Sequence, residues 1–213
     1  MATRAGRSGQ HPGSVPVGVL ALLVLLVAWW AASTEAEGSA RPTASTVAVP
    51  PEPGVELLVV APEARGGYDR DRFEHWIDAD GDGCRTRCEV LAEERRADGT
   101  WLSVYDGAVV TSEQDLEIDH LVALAEAWRS GARDWDDARR AAFANDLDFP
   151  DALLAVTSAT NQSKADHDPA RWRPPRTETW CWYARSWIGV KARWGLTADQ
   201  AEVDALAEML ATC

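Results

Sequence analysis

Apolar positions along this chain fall into three regimes. From Val15 to Ala32, "VPVGVLALLVLLVAWWAA" is continuous and uncharged. From about Gly38 to Pro62 the residues are mostly Ala, Pro, Thr, Ser and Val, with no period of 2 or 3.6. Beyond that, short periodic segments begin. Leu116 and Ile118 alternate with Asp115, Glu117 and Asp119, which predicts a short strand. Leu121, Leu124, Ala125 and Trp128 then recur at helical spacing, so strand gives way to helix at Asp119-His120. Leu153 to Thr157 predicts a second short strand, Ser158 to Asn161 a turn, and the polar stretch from about Asn161 a further helix. Two helical segments lie between the strands, the second ending in "DWDDARRAAFAND". At the end of the chain, "TETWCWYARSWIGVKARWGL" and "TADQAEVDALAEMLATC" both have helical spacing, with Gly195 as the stop of one and Thr197 as the cap of the next. Trp180, Trp187 and Trp194 share one helix face at seven-residue spacing, which makes them core side chains rather than platforms for stacked bases.

These regimes predict three parts: an export segment at 1–36, a flexible Pro/Ala/Thr-rich linker at 37–62, and one folded domain at 63–213. Arg4 and Arg7 precede the apolar run and small residues follow it, as in a secretory signal peptide. The run exceeds the ~7–15 residues of an ordinary signal core, so an uncleaved membrane anchor is the alternative. Either way the domain is exported, to the medium or the cell surface. All four cysteines lie in it, and an even count in an oxidising compartment predicts two disulfides. An antiparallel pair of C-terminal helices brings Cys181 and Cys213 to the same end. One helical turn brings Cys84 and Cys88 near the ~6 Å between Cα atoms that a bridge needs. The formal charge of -13 makes the molecule a poor generic partner for nucleic acid. Phosphate chemistry here requires a local basic patch or a metal cation.

Two stretches carry candidate chemistry. "DADGDGCRTRCE" places Asp78, Asp80, Asp82 and Glu89 at the ligand spacing of an EF-hand calcium loop. Arg85 stands where such loops carry an apolar residue, and no second loop exists to pair with it. A Cys84–Cys88 bridge would compete with the full calcium geometry. The alternatives are structural Ca²⁺ and a turn that leads into the helix "EVLAEERR". The second stretch is the strand-to-helix junction Asp119-His120. A lone Asp-His pair at a strand end is commonly structural, so the pair does not define a site by itself.

The spaced set "EIDHLVALAEAW…SGARDW…FAND…LLAVTSATNQSKADHDPARWRPP…CWYA" closely resembles the exported HNH (His-Me finger, ββα-metal) endonucleases of bacteria, in the DUF1524 group that includes the nuclease domain of GmrSD-type restriction enzymes. The resemblance runs from about Tyr68 to Cys213, and "IDHLVAL" followed by "TNQSK" is also similar to the HNH core of CRISPR effectors. It implies an α+β fold with a ββα-metal core and several surrounding helices. It implies hydrolysis of phosphodiester bonds, with DNA favoured and little sequence preference. His120 would be the general base, an imidazole being suited to take a proton from water near neutral pH. Asp119 and the side-chain oxygen of Asn161 would hold a divalent metal, Mg²⁺ or Mn²⁺ rather than zinc, since the set is oxygen-rich and holds one histidine. Lys164, one turn after Asn161, is either a phosphate contact or a solvated lysine, and Arg87 is either a phosphate contact or a structural residue. His167 reads as a surface residue and His75, beside Phe73 and Trp76, as packing. Arg129, Arg133, Arg139, Arg140, Lys164, Arg171, Arg173 and Arg176 could together form a positive rim around the site. A monomer is expected, with nucleic acid as substrate and a membrane tether only if the N-terminal segment stays attached. The rival reading is a non-catalytic, calcium-binding interaction module of the cell surface, built on the Asp78–Glu89 loop.

Overall fold

A computed structural model describes residues 54–213. The apolar run, and with it the expected signal peptide or anchor, lies outside them. Among the described residues no helix is long and apolar enough to cross a membrane. In chain order the elements are β1 (Val59–Val60), α1 (Thr86–Glu93), β2 (Trp101–Leu102), β3 (Val109–Val110), β4 (Leu116–His120), α2 (Leu124–Arg129), α3 (Asp137–Ala144), β5 (Leu153–Thr157), α4 (Ser158–Lys164), α5 (Trp180–Trp194), β6 (Thr197–Ala198) and α6 (Gln200–Leu210), with short 3-10 turns between them. The class is α+β.

The unit that positions the site is β4, β5 and α4. The two strands pair antiparallel, from Leu116 opposite Thr157 to His120 opposite Leu153. Side chains alternate along a strand. Leu116 and Ile118 therefore share a face with Leu153 and Ala155, and pack with Trp101, Val90 and Leu91 in a smaller core. Glu117 and Asp119 share the other face with Val156 and Leu154, toward α4 and the main core. That core gathers Leu121, Tyr183, Trp187, Ile188 and Leu206. β5 is buried on both faces, which is why its sequence is a plain apolar run.

The expected turn at Ser158–Asn161 is the first turn of α4. Thr157 ends the strand and caps the helix at once, its hydroxyl accepting from the Thr160 N–H. The helix stops at Lys164 because Ala165 turns to φ 51°, so the polar stretch beyond is not helical. At the C-terminus, Gly195 ends α5 with φ 65°, as its position predicts. Thr197 does not cap the last helix. It pairs with Val59 in a short parallel ladder, and Asp199 takes the cap by accepting from the Glu202 N–H. The segment expected to be linker therefore contributes to the fold: Val59 and Val60 form β1, and Leu58 packs into the main core.

Both disulfides are present, Cys84–Cys88 and Cys181–Cys213, with Cα separations of 5.3 and 5.1 Å. Trp187 is fully buried in the main core, with Trp180 and Trp194 packed against it.

Candidate active site

Strand alternation sends the adjacent Asp119 and His120 to opposite faces of the β4–β5 pair. On one face His120 is 7% exposed, and its Nε2 lies 2.9 Å from the Ala144 carbonyl oxygen. A carbonyl only accepts, so Nε2 carries the proton and Nδ1 is left with its lone pair. The Trp76 ring packs on the imidazole at 5.6 Å between centroids. Burial pushes the His120 pKa down to about 3, against the lift from the Ala144 carbonyl, and Arg70, Lys164 and His75 push the same way. The imidazole is therefore neutral at physiological pH.

On the other face Asp119 is buried, and both its oxygens are engaged. Oδ2 accepts from the Tyr105 hydroxyl at 2.6 Å, and Oδ1 accepts from Lys164 Nζ at 2.8 Å. Burial raises the Asp119 pKa, and the Lys164 ammonium offsets this in part. Lys164 is fully buried and also donates to the His120 carbonyl oxygen at 2.9 Å. It is thus neither a solvated lysine nor placed to grip a phosphate in solvent. It ties α4 to the end of β4 and is a positioning residue. Glu117, two residues before Asp119, accepts from Asn161 Nδ2 at 2.7 Å and from Gln162 at 3.3 Å. With Nδ2 engaged there, the Asn161 amide has its oxygen left to offer.

Asp119, His120 and Asn161 line one cleft of about 400 Å³, together with Tyr68, Arg70, Ala165 and Asp166. The two non-glycine residues with positive φ among the described residues, Trp76 and Ala165, both border this site. Strained backbone of this kind persists where surrounding structure holds it, often at functional sites. As a place for a hard divalent cation, the cleft fits through its donors. Asn161 has a free amide oxygen, and each Asp119 oxygen has a lone pair beyond its present bond.

Arg87 does not line this cleft. Its guanidinium donates to the carbonyls of Glu113 and Leu116 at 3.1 and 3.0 Å, securing the entry to β4. Those two bonds are the structural role that the sequence left open for Arg87. Arg87 does line a second, larger cavity of about 670 Å³ with Arg85, Arg95, Glu113 and Trp76. Trp76 thus stands between that cavity and His120. The expected basic rim does not form. Arg140 and Lys164 are buried, Arg129 is paired with Glu63, Glu126 and Asp166, and Arg173 is paired with Glu208. The exposed cation at the cleft is Arg70, which periodicity did not single out because it lies in an irregular N-terminal turn. Tyr105 was missed for the same reason: it lies between β2 and β3, outside any periodic pattern.

In the aspartate loop, one carboxylate oxygen each of Asp78, Asp80 and Asp82 lies within 4.8 Å of the others. The loop's own N–H groups fold it inward: Gly81 and Gly83 donate to Asp78, and Cys84 donates to Asp82. Burial and the three aspartates raise the Glu89 pKa. The Cys84–Cys88 bridge closes beside the three converging aspartates, and Glu89, the twelfth position of the calcium pattern, is not among them.

The family model of the GmrSD restriction endonucleases, C-terminal domain, matches residues 85–209, and the chain belongs to that family. The chain is also 44% identical over 167 residues to an uncharacterized secreted protein of the fungus Arthroderma benhamiae, covering 73% of this chain and 81% of that protein. No solved structure matches. The family is one of nucleases.

Proposed function

We propose that the protein is an exported HNH endonuclease that hydrolyses phosphodiester bonds of nucleic acid, with DNA favoured. The observation that carries this reading is His120: buried, neutral, and hydrogen-bonded through Nε2 so that Nδ1 is the basic atom at the end of β4. Nδ1 takes a proton from a water as its oxygen bonds to phosphorus. The bond from phosphorus to the 3′ oxygen breaks, and by family analogy the product carries a 5′ phosphate. Arg70 at the mouth of the cleft offers charge to a phosphate, and Tyr68 beside it offers a ring and a hydroxyl. Asp119 and Asn161 would hold Mg²⁺ or Mn²⁺, which supplies positive charge for the phosphate and the departing oxygen. Lys164 and Tyr105 hold the Asp119 carboxylate in place, and Glu117 holds the Asn161 amide. The cavity lined by Arg85, Arg87 and Arg95 continues a cationic path past Trp76 for a flanking stretch of backbone. Binding of this kind weakens with salt and reads little sequence.

The test is incubation of the purified secreted protein with plasmid and Mg²⁺ or Mn²⁺. Wild type should nick and linearise it. Loss of the general base should cost about 10²–10⁴-fold in rate, so full activity in His120→Ala would refute the mechanism. Failure to cleave either DNA or RNA with any divalent metal would sink the function itself. The converging aspartates favour a second, compatible reading for the loop, a Ca²⁺ site of Asp78, Asp80, Asp82 and Glu89. Calorimetric titration that gives the same calcium heat in Asp80→Ala/Asp82→Ala would dismiss it.

A further inference from the structure

A second group of carboxylates lies away from the His120 cleft and is not part of the proposed chemistry. Glu63 follows β1, Glu126 is on α2, and Asp168 is in the loop after α4. One oxygen from each lies within 4.8 Å of the others. Unlike the aspartate loop, this group is inside the protein: the three side chains are 5%, 0% and 3% exposed.

Among the buried groups at this place, carboxylates outnumber cations. Glu63, Glu126, Asp168 and Glu202 are four buried carboxylates, and Arg129 and Lys191 are the cations among them. Arg129 is shared further with Asp166. Arg65 and Arg171 approach Glu63 and Asp168 from the surface, at 3.7 and 3.9 Å, from side chains 74% and 44% exposed. Burying uncompensated charge costs several kcal/mol per ion. Something must offset it.

One atom shows where. Glu63 Oε1 accepts from Arg129 Nε at 3.2 Å, but Glu63 Oε2 is buried with no hydrogen-bond partner. Asp168 Oδ1 is taken by the N–H groups of Ala170 and Arg171, leaving Oδ2 with Arg171 alone. A proton shared between Glu63 and Glu126 would satisfy that pair but not Asp168. A cation satisfies all three together. Calcium binds carboxylate oxygens at about 2.3–2.6 Å, so ligand oxygens on one ion lie up to about 5 Å apart. Glu63 also lines a surface cavity of about 510 Å³ with Arg65 and Asp199.

We propose that Glu63, Glu126 and Asp168 form a structural site for a hard divalent cation, calcium by size and donor set. It joins the segment after β1, helix α2 and the loop after α4. Ala165 and Asp166 in that loop line the His120 cleft, so the ion secures one wall of the cleft without touching substrate.

The test uses the secreted protein with Asp80→Ala/Asp82→Ala, which silences the aspartate loop. Thermal unfolding is followed in chelator and in calcium. With calcium at about 100 times Kd, Tm should rise by about 5 °C or more, and calorimetry should count one ion per chain. Glu63→Gln and Asp168→Asn should each abolish the rise. Glu63→Gln should also melt in chelator at or above its parent, because it removes a like-charge contact. A Tm identical in chelator and calcium overturns the proposal. A rise that survives both substitutions overturns it as well, placing the ion elsewhere.

Discussion

At the scale of single residues, the site depends on which atom of a side chain is already engaged. His120 has two ring nitrogens, and the Ala144 carbonyl holds one of them. Burial lowers the His120 pKa to about 3, from an ordinary value near 6.5. The base is competent above the folded value and is lost as pH falls through it. The acid limb of kcat/KM should therefore lie below about pH 5, and a limb near pH 6.5 would show that another group titrates. The same depression has a stability consequence. Below about pH 6.5 the unfolded chain takes up this proton first, so His120 contributes less stability as pH falls toward 3. Lys164 gives a second prediction. Lys164→Met leaves the buried Asp119 carboxylate without its ion-pair partner, and chemical denaturation should show a loss of about 3–5 kcal/mol. A lysine that only contacted phosphate would raise KM and leave stability unchanged.

Individual elements were legible where periodicity was strong and boundaries were chemical. The two strands β4 and β5 show their alternation or apolar run directly, and Gly195 marks the end of α5 because a residue at φ 65° favours glycine. Gly195→Ala should cost about 1 kcal/mol in thermal or chemical unfolding; no change would mean that the αL residue is not what ends the helix. Errors fell where two signals compete. Thr157 is β-branched and suits a strand, yet its hydroxyl also caps α4, so no turn separates the two. Thr197 and Asp199 both suit an N-cap, and the ladder with Val59 takes the first and leaves the second. Sequence does not rank such candidates, because the partner strand comes from far away in the chain.

For the whole molecule, the disulfides and the distribution of charge matter most. Cys181–Cys213 closes α5 against α6 across a sequence separation of 32, whereas Cys84–Cys88 spans only 4. Loop-closure entropy grows with the enclosed length, so Cys181→Ser/Cys213→Ser should cost about 3–4 kcal/mol and the shorter pair less. Equal losses in denaturant titrations would contradict that ordering. Arg129 and Arg173, near the site in sequence, are paired with carboxylates of the chain, and the exposed cation lining the cleft, Arg70, comes from a different segment. The two disulfides suit an oxidising compartment, as does the secreted fungal relative.

The family resemblance implied the α+β class, and the sequence alone determined the strand-to-helix junction at Asp119-His120, the spacing to Asn161 and both cysteine pairings. Each of these is a local pattern or follows from neighbouring helices. Only the tertiary structure decided what the functional groups face. Period-2 alternation separates Asp119 from His120, but it does not say that Tyr105 and Lys164 close over one and Ala144 and Trp76 over the other. Nor could it show that Glu63, Glu126 and Asp168, from three distant segments, meet in the interior. Burial and hydrogen bonding between distant residues set the charge state of a carboxylate or an imidazole, and a one-dimensional pattern does not contain those contacts.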